Sequence, residues 1–308
     1  MSRIVCVGEG MLELTRDGED WRLGYGGDTL NTAIHLARMG HAVGYFTAIG
    51  ADPLSQEMKR RWHDEGLDVS RVLTHPERPA GLYAINTDAA GERTFTYWRE
   101  ASAAREIFAL PGAGSAVADS EQADLLHFSL ITLAILPPEH RGALLALAAR
   151  VRARGGRVSF DGNYRARLWP DRGEAVRARD AALAVADIGL PTLDDEAALS
   201  GAEDAAHVAA HWQAHGCAEV VVKLGERGCR LADGAVVPPD ARLQPLDTSG
   251  AGDAFDAGYL SGRLRGGSPD QAAREGHALA AWAIARRGAI PPRDPDAPYK
   301  LSSTGSPE

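Results

Sequence analysis

The sequence predicts an α/β protein with a mostly parallel central sheet, helices on both faces and a small β-strand lid. Three observations carry this expectation. From Asp124 onward, short apolar runs alternate with helical stretches, the rhythm of strand–helix–strand units. The chain opens on RIVCVG, residues 3–8, continuously apolar like a strand covered on both faces. Late in the chain, DTSGAGDAFDAGYLSGRL, residues 247–264, sets a glycine turn at the head of a small-residue helix.

After the first strand, Met11 to Leu23 alternates Leu12 and Leu14 with Glu13 and Thr15 and predicts an exposed strand. In GYGGDTLNTAIHLARMG, Gly26, Gly27 and Asp28 make a turn, and Leu30, Ala33, Ile34 and Ala37 keep helical spacing until Gly40. Asp28 and Asn31 could offer side chains to a polyol at this helix start, or the turn could be an ordinary cap. Val43–Ile49 is a strand, Asp52 caps the next helix and Pro53 opens it. Leu54, Met58 and Trp62 share one face of that helix, as packing residues.

Residues 79–98 form two alternating runs around Asp88–Gly91, a hairpin signature. Tyr83 lies on one strand, while Tyr97 and Arg99 lie on one face of the other. Aromatic and cationic groups together suit a ligand carrying an anion. Strands then follow at Leu125–Ser129, Arg157–Asp161, Asp187–Leu190 and from Glu219 to Gly225, with helices over Pro138–Arg154, about 174–185, and from Asp194. Gly225–Gly228 is a hairpin turn. Ligands of such folds gather at the carboxyl ends of strands, so Asp161, Asn163, Arg165, Lys223, Gly225 and Asp247 should converge. The chain after Pro291 looks linker-like. His207, His211 and His215 recur every four residues, but Val208 and Trp212 follow the first two where a His-Glu-x-x-His motif needs glutamate. A solvated helix face is the simpler reading.

Composition bounds the partners. The chain has 308 residues, 44% hydrophobic and 24% charged, ordinary for one large globular domain or two smaller ones. A net charge of -9 argues against sequence-independent nucleic-acid binding. Cys6, Cys217 and Cys229 form no Cys-x-x-Cys pair and read as reduced thiols. No signal segment and no apolar run approaching about 18 residues is evident, so a cytoplasmic protein without membrane contact is expected.

Chemistry concentrates in the 247–264 stretch. N–H groups opening a helix have no intrahelical partner and attract anions, phosphate above all. Asp253 would stand beside that anion and take a proton from an attacking hydroxyl. This predicts phosphoryl transfer. The stretch is neither a Rossmann fingerprint, because Phe255 replaces the third glycine, nor a P-loop, because no Gly-Lys-Ser/Thr follows. The helix dipole should lower the pKa of Asp253, which a late proton transfer tolerates.

DTSGAGDAFDAG resembles the C-terminal signature of the ribokinase/PfkB sugar kinases, and GYGGDTLNTAIHLARMG is similar to that family's N-terminal glycine motif. The likeness runs from Ile4 to Arg293. Within the family, GLYAINTDAAGERTFTYWRE, DGNYRARLW, LPTLDDEAAL and RRGAIPPR look most similar to members acting on 2-keto-3-deoxygluconate.

This resemblance implies a ribokinase-like three-layer α/β/α sandwich. It would be a single kinase domain over 1–308, with lid segments near 11–24 and 79–100 and a tail at 294–308. The activity implied is ATP-dependent phosphorylation of a sugar acid at its terminal hydroxyl. Asp253 would be the base, and the backbone N–H groups of Gly250, Ala251 and Gly252 the anion hole. Substrate contacts carry over to Gly27, Asp28, Asn31, Tyr83, Tyr97, Arg99 and Arg165, with the acid's carboxylate engaging both arginines. ATP would lie along Lys223, Gly225, Glu226, Gly228, Ser249, Gly250 and Gly252, with His277 near the adenine. The family's Asn-x-x-Glu motif is replaced by Thr192-Leu-Asp-Asp-Glu196, so Asp195 or Glu196 would hold Mg²⁺ through water. Asp247 and Ser249 match a monovalent-cation position, for K⁺. Another sugar or sugar acid, such as fructose or 2-ketogluconate, would use the same catalytic residues; a non-catalytic sugar-acid sensor is the remoter alternative. Edge strands of the lid could pair between subunits in a homo-oligomer.

Overall fold

The computed structural model describes residues 2–87, 93–240 and 243–299. The expected hairpin turn at 88–91 and the end of the tail lie outside the described residues. A seven-stranded sheet runs in the order Glu219–Val220, Ile188–Gly189, Arg157–Asp161, Leu125–Ser129, Arg3–Val7, Ala42–Gly50, Val72–His75, with every pairing parallel. Strand Arg3–Val7 shows why RIVCVG is apolar throughout. Val5 and Val7 point into one core with Phe128, Phe160 and Leu147, while Ile4 and Cys6 point into the other with Leu30, Ile34 and Tyr259. Successive side chains of a strand face opposite ways, so a strand between two helical layers has no polar face to spare. The three-layer α/β/α architecture follows.

Two expected strands are divided. The run from Glu219 leaves the large sheet after Val220; Val222–Lys223 then pairs antiparallel with Cys229–Arg230, which pairs with Val236–Val237. A 3₁₀ turn at Gly225–Arg227 makes the connection. The single strand expected from Met11 is a hairpin, Met11–Asp17 with Asp20–Gly26. With Gly81–Thr87 and Arg93–Trp98 this hairpin forms a separate four-stranded sheet. Its register aligns Glu13, Tyr83 and Tyr97 on one face, and Leu12, Leu82 and Trp98 on the other.

Smaller differences have local causes. Asp52 does cap its helix, its side chain accepting from the Ser55 N–H. Met58 and Trp62 are buried, but Leu54 in the first turn stays 49% exposed. The segment expected to be frayed is held down through Tyr299. Asp294 accepts from the Trp282 indole at 3.0 Å and from Arg286 at 2.6 Å, and the Tyr299 ring stacks on His35. The three cysteines are buried and unpaired. Among the described residues no helix is long and apolar enough to cross a membrane.

Candidate active site

Two cavities meet at the turn after Asp247. One, of about 580 Å³, lies between the small sheet and the carboxyl ends of the large one, and includes Asp28, Asn31, Tyr83, Tyr97, Arg167 and Gly250. The other, of about 440 Å³, includes Gly225, Gly228, Leu243, Gly252, His277 and Ala280. The glycines of the turn answer to different demands. Gly250 has φ 71°, and a Cβ there would stand 2.7 Å from that of Ala289, so the fold itself requires glycine. A Cβ on Gly252 would meet nothing closer than the Lys223 ammonium at 3.5 Å. Packing leaves that side open, and glycine there lets a ligand approach the backbone.

Helix Ala251–Leu264 begins at this turn and buries Asp253 in its first turn. Asp253 Oδ2 accepts from Asn31 Nδ2 at 2.7 Å, which ties this helix to the helix Asp28–Arg38 that Gly27 caps. The expected fall in the Asp253 pKa does not occur. Burial, followed by the nearby Asp28 carboxylate, pushes it up to about 8, outweighing the Asn31 hydrogen bond. Loss of water around a charge outweighs the dipole of a helix end. Asn31 Oδ1 is buried with no partner and borders the larger cavity, where a hydroxyl donor would satisfy it. Asp28 accepts from Asn163 at 3.2 Å.

Lys223, expected along the ATP, lines the second cavity, and its ammonium is already engaged there. Its ammonium is buried and donates to Asp161 at 3.1 Å and Asp256 at 2.9 Å, and these two carboxylates hold its pKa up against burial. The two candidate magnesium carboxylates separate cleanly. Glu196 is 1% exposed and consumed by Arg179 at 2.6 Å and the Trp212 indole at 3.1 Å. Asp195 is half-buried and meets Arg165 at 3.1 Å. Asp247 accepts the N–H groups of Ser249 and Gly288 at 2.8 and 2.7 Å.

Arg99 and Arg165, the expected carboxylate pair, both line the larger cavity, with partners of their own. Arg99 is 5% exposed and bound to Glu9, with Nε at 2.8 Å; a buried pair of this kind is a structural unit. Arg165 also holds the Tyr164 carbonyl at 2.6 Å. Arg167 is the cation that sequence reasoning missed. Its guanidinium lies 3.6 Å from the Tyr97 ring centroid and has no carboxylate partner among the described residues. Its signal was present two residues beyond Arg165 in DGNYRARLW. Tyr97 stacks on Tyr83 at 5.7 Å, and Tyr83 donates to Glu13, also unforeseen. In the second cavity Gly225, Glu226 and Gly228 form one lip. The His277 Nε2 donates to the Val237 carbonyl at 2.9 Å.

The pattern of the pfkB family carbohydrate kinases matches residues 1–296. The 2-dehydro-3-deoxygluconokinase of Escherichia coli (strain K12) is 44% identical over 304 residues, spanning 95% of this chain and 98% of that protein. Among solved structures, a PfkB protein from Polaromonas sp. JS666 has a TM-score of 0.83 at 28% identity, with 94% of this chain and 97% of that one covered. The fructokinase from Vibrio cholerae O395, in its fructose, ADP and calcium ion bound form, has a TM-score of 0.81 at 26% identity, covering 94% and 95%. A parallel sheet, a glycine turn between two cavities and a buried aspartate behind it accord with these matches, and the chain belongs to the pfkB family of carbohydrate kinases.

Proposed function

We propose that the protein transfers the γ-phosphoryl group of ATP to the terminal hydroxyl of 2-keto-3-deoxy-D-gluconate, giving 2-keto-3-deoxy-6-phosphogluconate. The carrying observation is the Gly250–Gly252 turn between two cavities, with Asp253 next in the chain. The acceptor occupies the larger cavity, where Asn31 and Asp28 receive its hydroxyls. Asp253 takes the proton of the attacking hydroxyl, and its pKa of about 8 suits a base at neutral pH. The N–H groups of the turn hold the charge of the transferring group, which positioning and electrostatics alone can carry. The small sheet would act as the lid of a single kinase domain, excluding water from the transfer.

ATP fits the second cavity, whose wall is Leu243, Ala280, Ala281 and Ile284 and whose mouth is glycine. Mg²⁺ bound with it supplies neutralisation of the phosphates. Asp195 fits the role of holding its water shell, because Glu196 is already spent. Asp247 and Ser249 remain the proposed position for K⁺. The acid's carboxylate is read by Arg167 and Arg165, with Arg99 fixing the wall through Glu9. A neutral sugar is the second reading, favoured by the fact that Arg99 already has a partner. We also place a homo-oligomer contact on the outer face of the small sheet, where Trp21, Leu23 and Trp98 are 49, 39 and 54% exposed.

A phosphotransfer panel with ATP and Mg²⁺ over ketodeoxygluconate, ketogluconate, fructose, ribose and adenosine tests the assignment. Turnover is expected on the 3-deoxy acid first. Turnover on a neutral sugar with none on either acid would remove the acid reading.

A further inference from the structure

The histidines set aside on sequence grounds acquire a carboxylate in three dimensions. His211 lies near the end of helix Ala205–Ala214, and His215 follows one turn later. Their rings stack with centroids 4.1 Å apart. Asp180, on helix Arg172–Leu183, faces both. His211 Nε2 lies 3.0 Å from its Oδ1, and His215 Nε2 lies 3.9 Å from its Oδ2. All three ligand atoms fall within 4.8 Å of one another.

Hydrogen bonding argues for a cation there. His215 Nδ1 is 2.8 Å from the His211 carbonyl, a contact that requires its proton on Nδ1. That leaves Nε2 as the atom turned toward the Asp180 carboxylate, where a metal ion between them would be held by both. Ligands about 2.0–2.1 Å from a tetrahedral zinc stand about 3.3 Å from each other; the imidazoles stand 3.0 Å from Oδ1 and 3.9 Å from Oδ2, so a small rotation of the carboxylate brings one oxygen within that edge of both. Arg179 is the competitor, with Nη2 at 2.9 Å from both His211 Nε2 and Asp180 Oδ1. Its other anchor is Glu196 at 2.6 Å, so it can release His211 without losing its carboxylates. One guanidinium against two carboxylates leaves the cluster net negative when the imidazoles are neutral.

We propose that Asp180, His211 and His215 form a site for a divalent transition metal of the zinc class, with one coordination position open to water. The site is separate from the phosphoryl-transfer residues. Capture of the metal would pull His211 from Arg179, and through Glu196 would alter the surroundings of the Trp212 indole.

The test titrates the full-length protein with Zn²⁺ against a chromophoric chelator, and with Co²⁺ followed by visible absorption and Trp fluorescence. Wild type should bind one equivalent at this site, with the intense bands of tetrahedral Co²⁺. His215→Ala and Asp180→Asn should each weaken it by at least about tenfold and abolish those bands. His215 is exposed, so its variant should keep the wild-type circular dichroism and kinase turnover. Absence of Zn²⁺ binding by wild type, or equal binding by a folded His215→Ala protein, would overturn the proposal. The latter result would assign the metal to other carboxylates.

Discussion

At the carboxyl ends of the seven-stranded sheet, Asp161 and Asp256 share one buried ammonium, Lys223, with Asp253 in electrostatic reach. The facing small sheet presents stacked tyrosines and, at the end of its last strand, Arg99, while Arg167 reaches over Tyr97 from the turn that follows strand Arg157–Asp161 of the large sheet. The floor is a closed network in which carboxylates outnumber the cation. The wall holds cationic and aromatic surface that its own partners only partly satisfy. Burial first, and the nearby Asp28 and Asp161 carboxylates after it, lift Asp253 into the range of a base. An exposed cation lying on an aromatic ring is what can distinguish an acid from a neutral sugar. In the proposed reading, chemistry and selectivity thus fall to opposite walls of one cavity, and substitutions should separate them.

The largest effect is expected on the floor. Lys223→Met leaves Asp161 and Asp256 without their shared cation and should cost about 3–5 kcal/mol of stability, read from urea unfolding at neutral pH. A loss below about 1 kcal/mol would mean that these carboxylates do not need the ammonium. Asp253→Asn should lower kcat by more than about 10²-fold with KM little changed. It also has a thermal signature. A carboxyl with its folded pKa raised from 3.8 to about 8 favours the folded state at low pH, and that contribution is lost as pH rises through about 8. The asparagine variant should therefore melt progressively higher than wild type between mildly acidic and mildly alkaline buffer. A pH-independent difference in Tm would show that Asp253 titrates normally.

On the wall, Arg167→Ala should raise KM for the sugar acid by about tenfold, the value of one charge-assisted hydrogen bond, with kcat largely kept. Arg167→Lys should recover only part of this. Equal KM in wild type and alanine variant would remove Arg167 as the carboxylate reader. Arg99→Ala, by contrast, orphans Glu9 and should show mainly as lost stability. The smallest effect on catalysis belongs to the outer face: Trp98→Lys should lower the sedimenting mass while turnover per subunit stays the same.

How much of this was legible in the sequence depended on distance along the chain. The DTSGAGD turn and the Gly27 cap were readable because a glycine turn and the helix it opens are local events. Asp253 could be placed, yet the direction of its pKa could not, because Asp28 reaches it from 225 residues away in a chain of 308. The Glu9–Arg99 pair spans 90 residues, and nothing near Arg99 announces that its charge is already met. The two acids that hold Lys223 lie 62 and 33 residues away, out of sight of its strand end. The adjacent acids Asp195 and Glu196 lie about 100° apart around their helix, which sends one toward the site and the other into Arg179. The carboxylate that joins His211 in the proposed metal site sits 31 residues upstream, beyond the reach of any local motif.

One turn of backbone serves as a shared boundary of both cavities, and this constrains the kinetics. In the proposed arrangement donor and acceptor each have a chamber of their own, so neither must leave before the other enters. Rates measured against both substrates should intersect, the mark of a ternary complex, instead of running parallel. A single displacement across that boundary inverts the configuration at phosphorus. The same geometry makes a linked molecule attractive as an inhibitor: a nucleotide joined to a sugar acid through a phosphate bridge would bind the second half at the effective concentration set by the first.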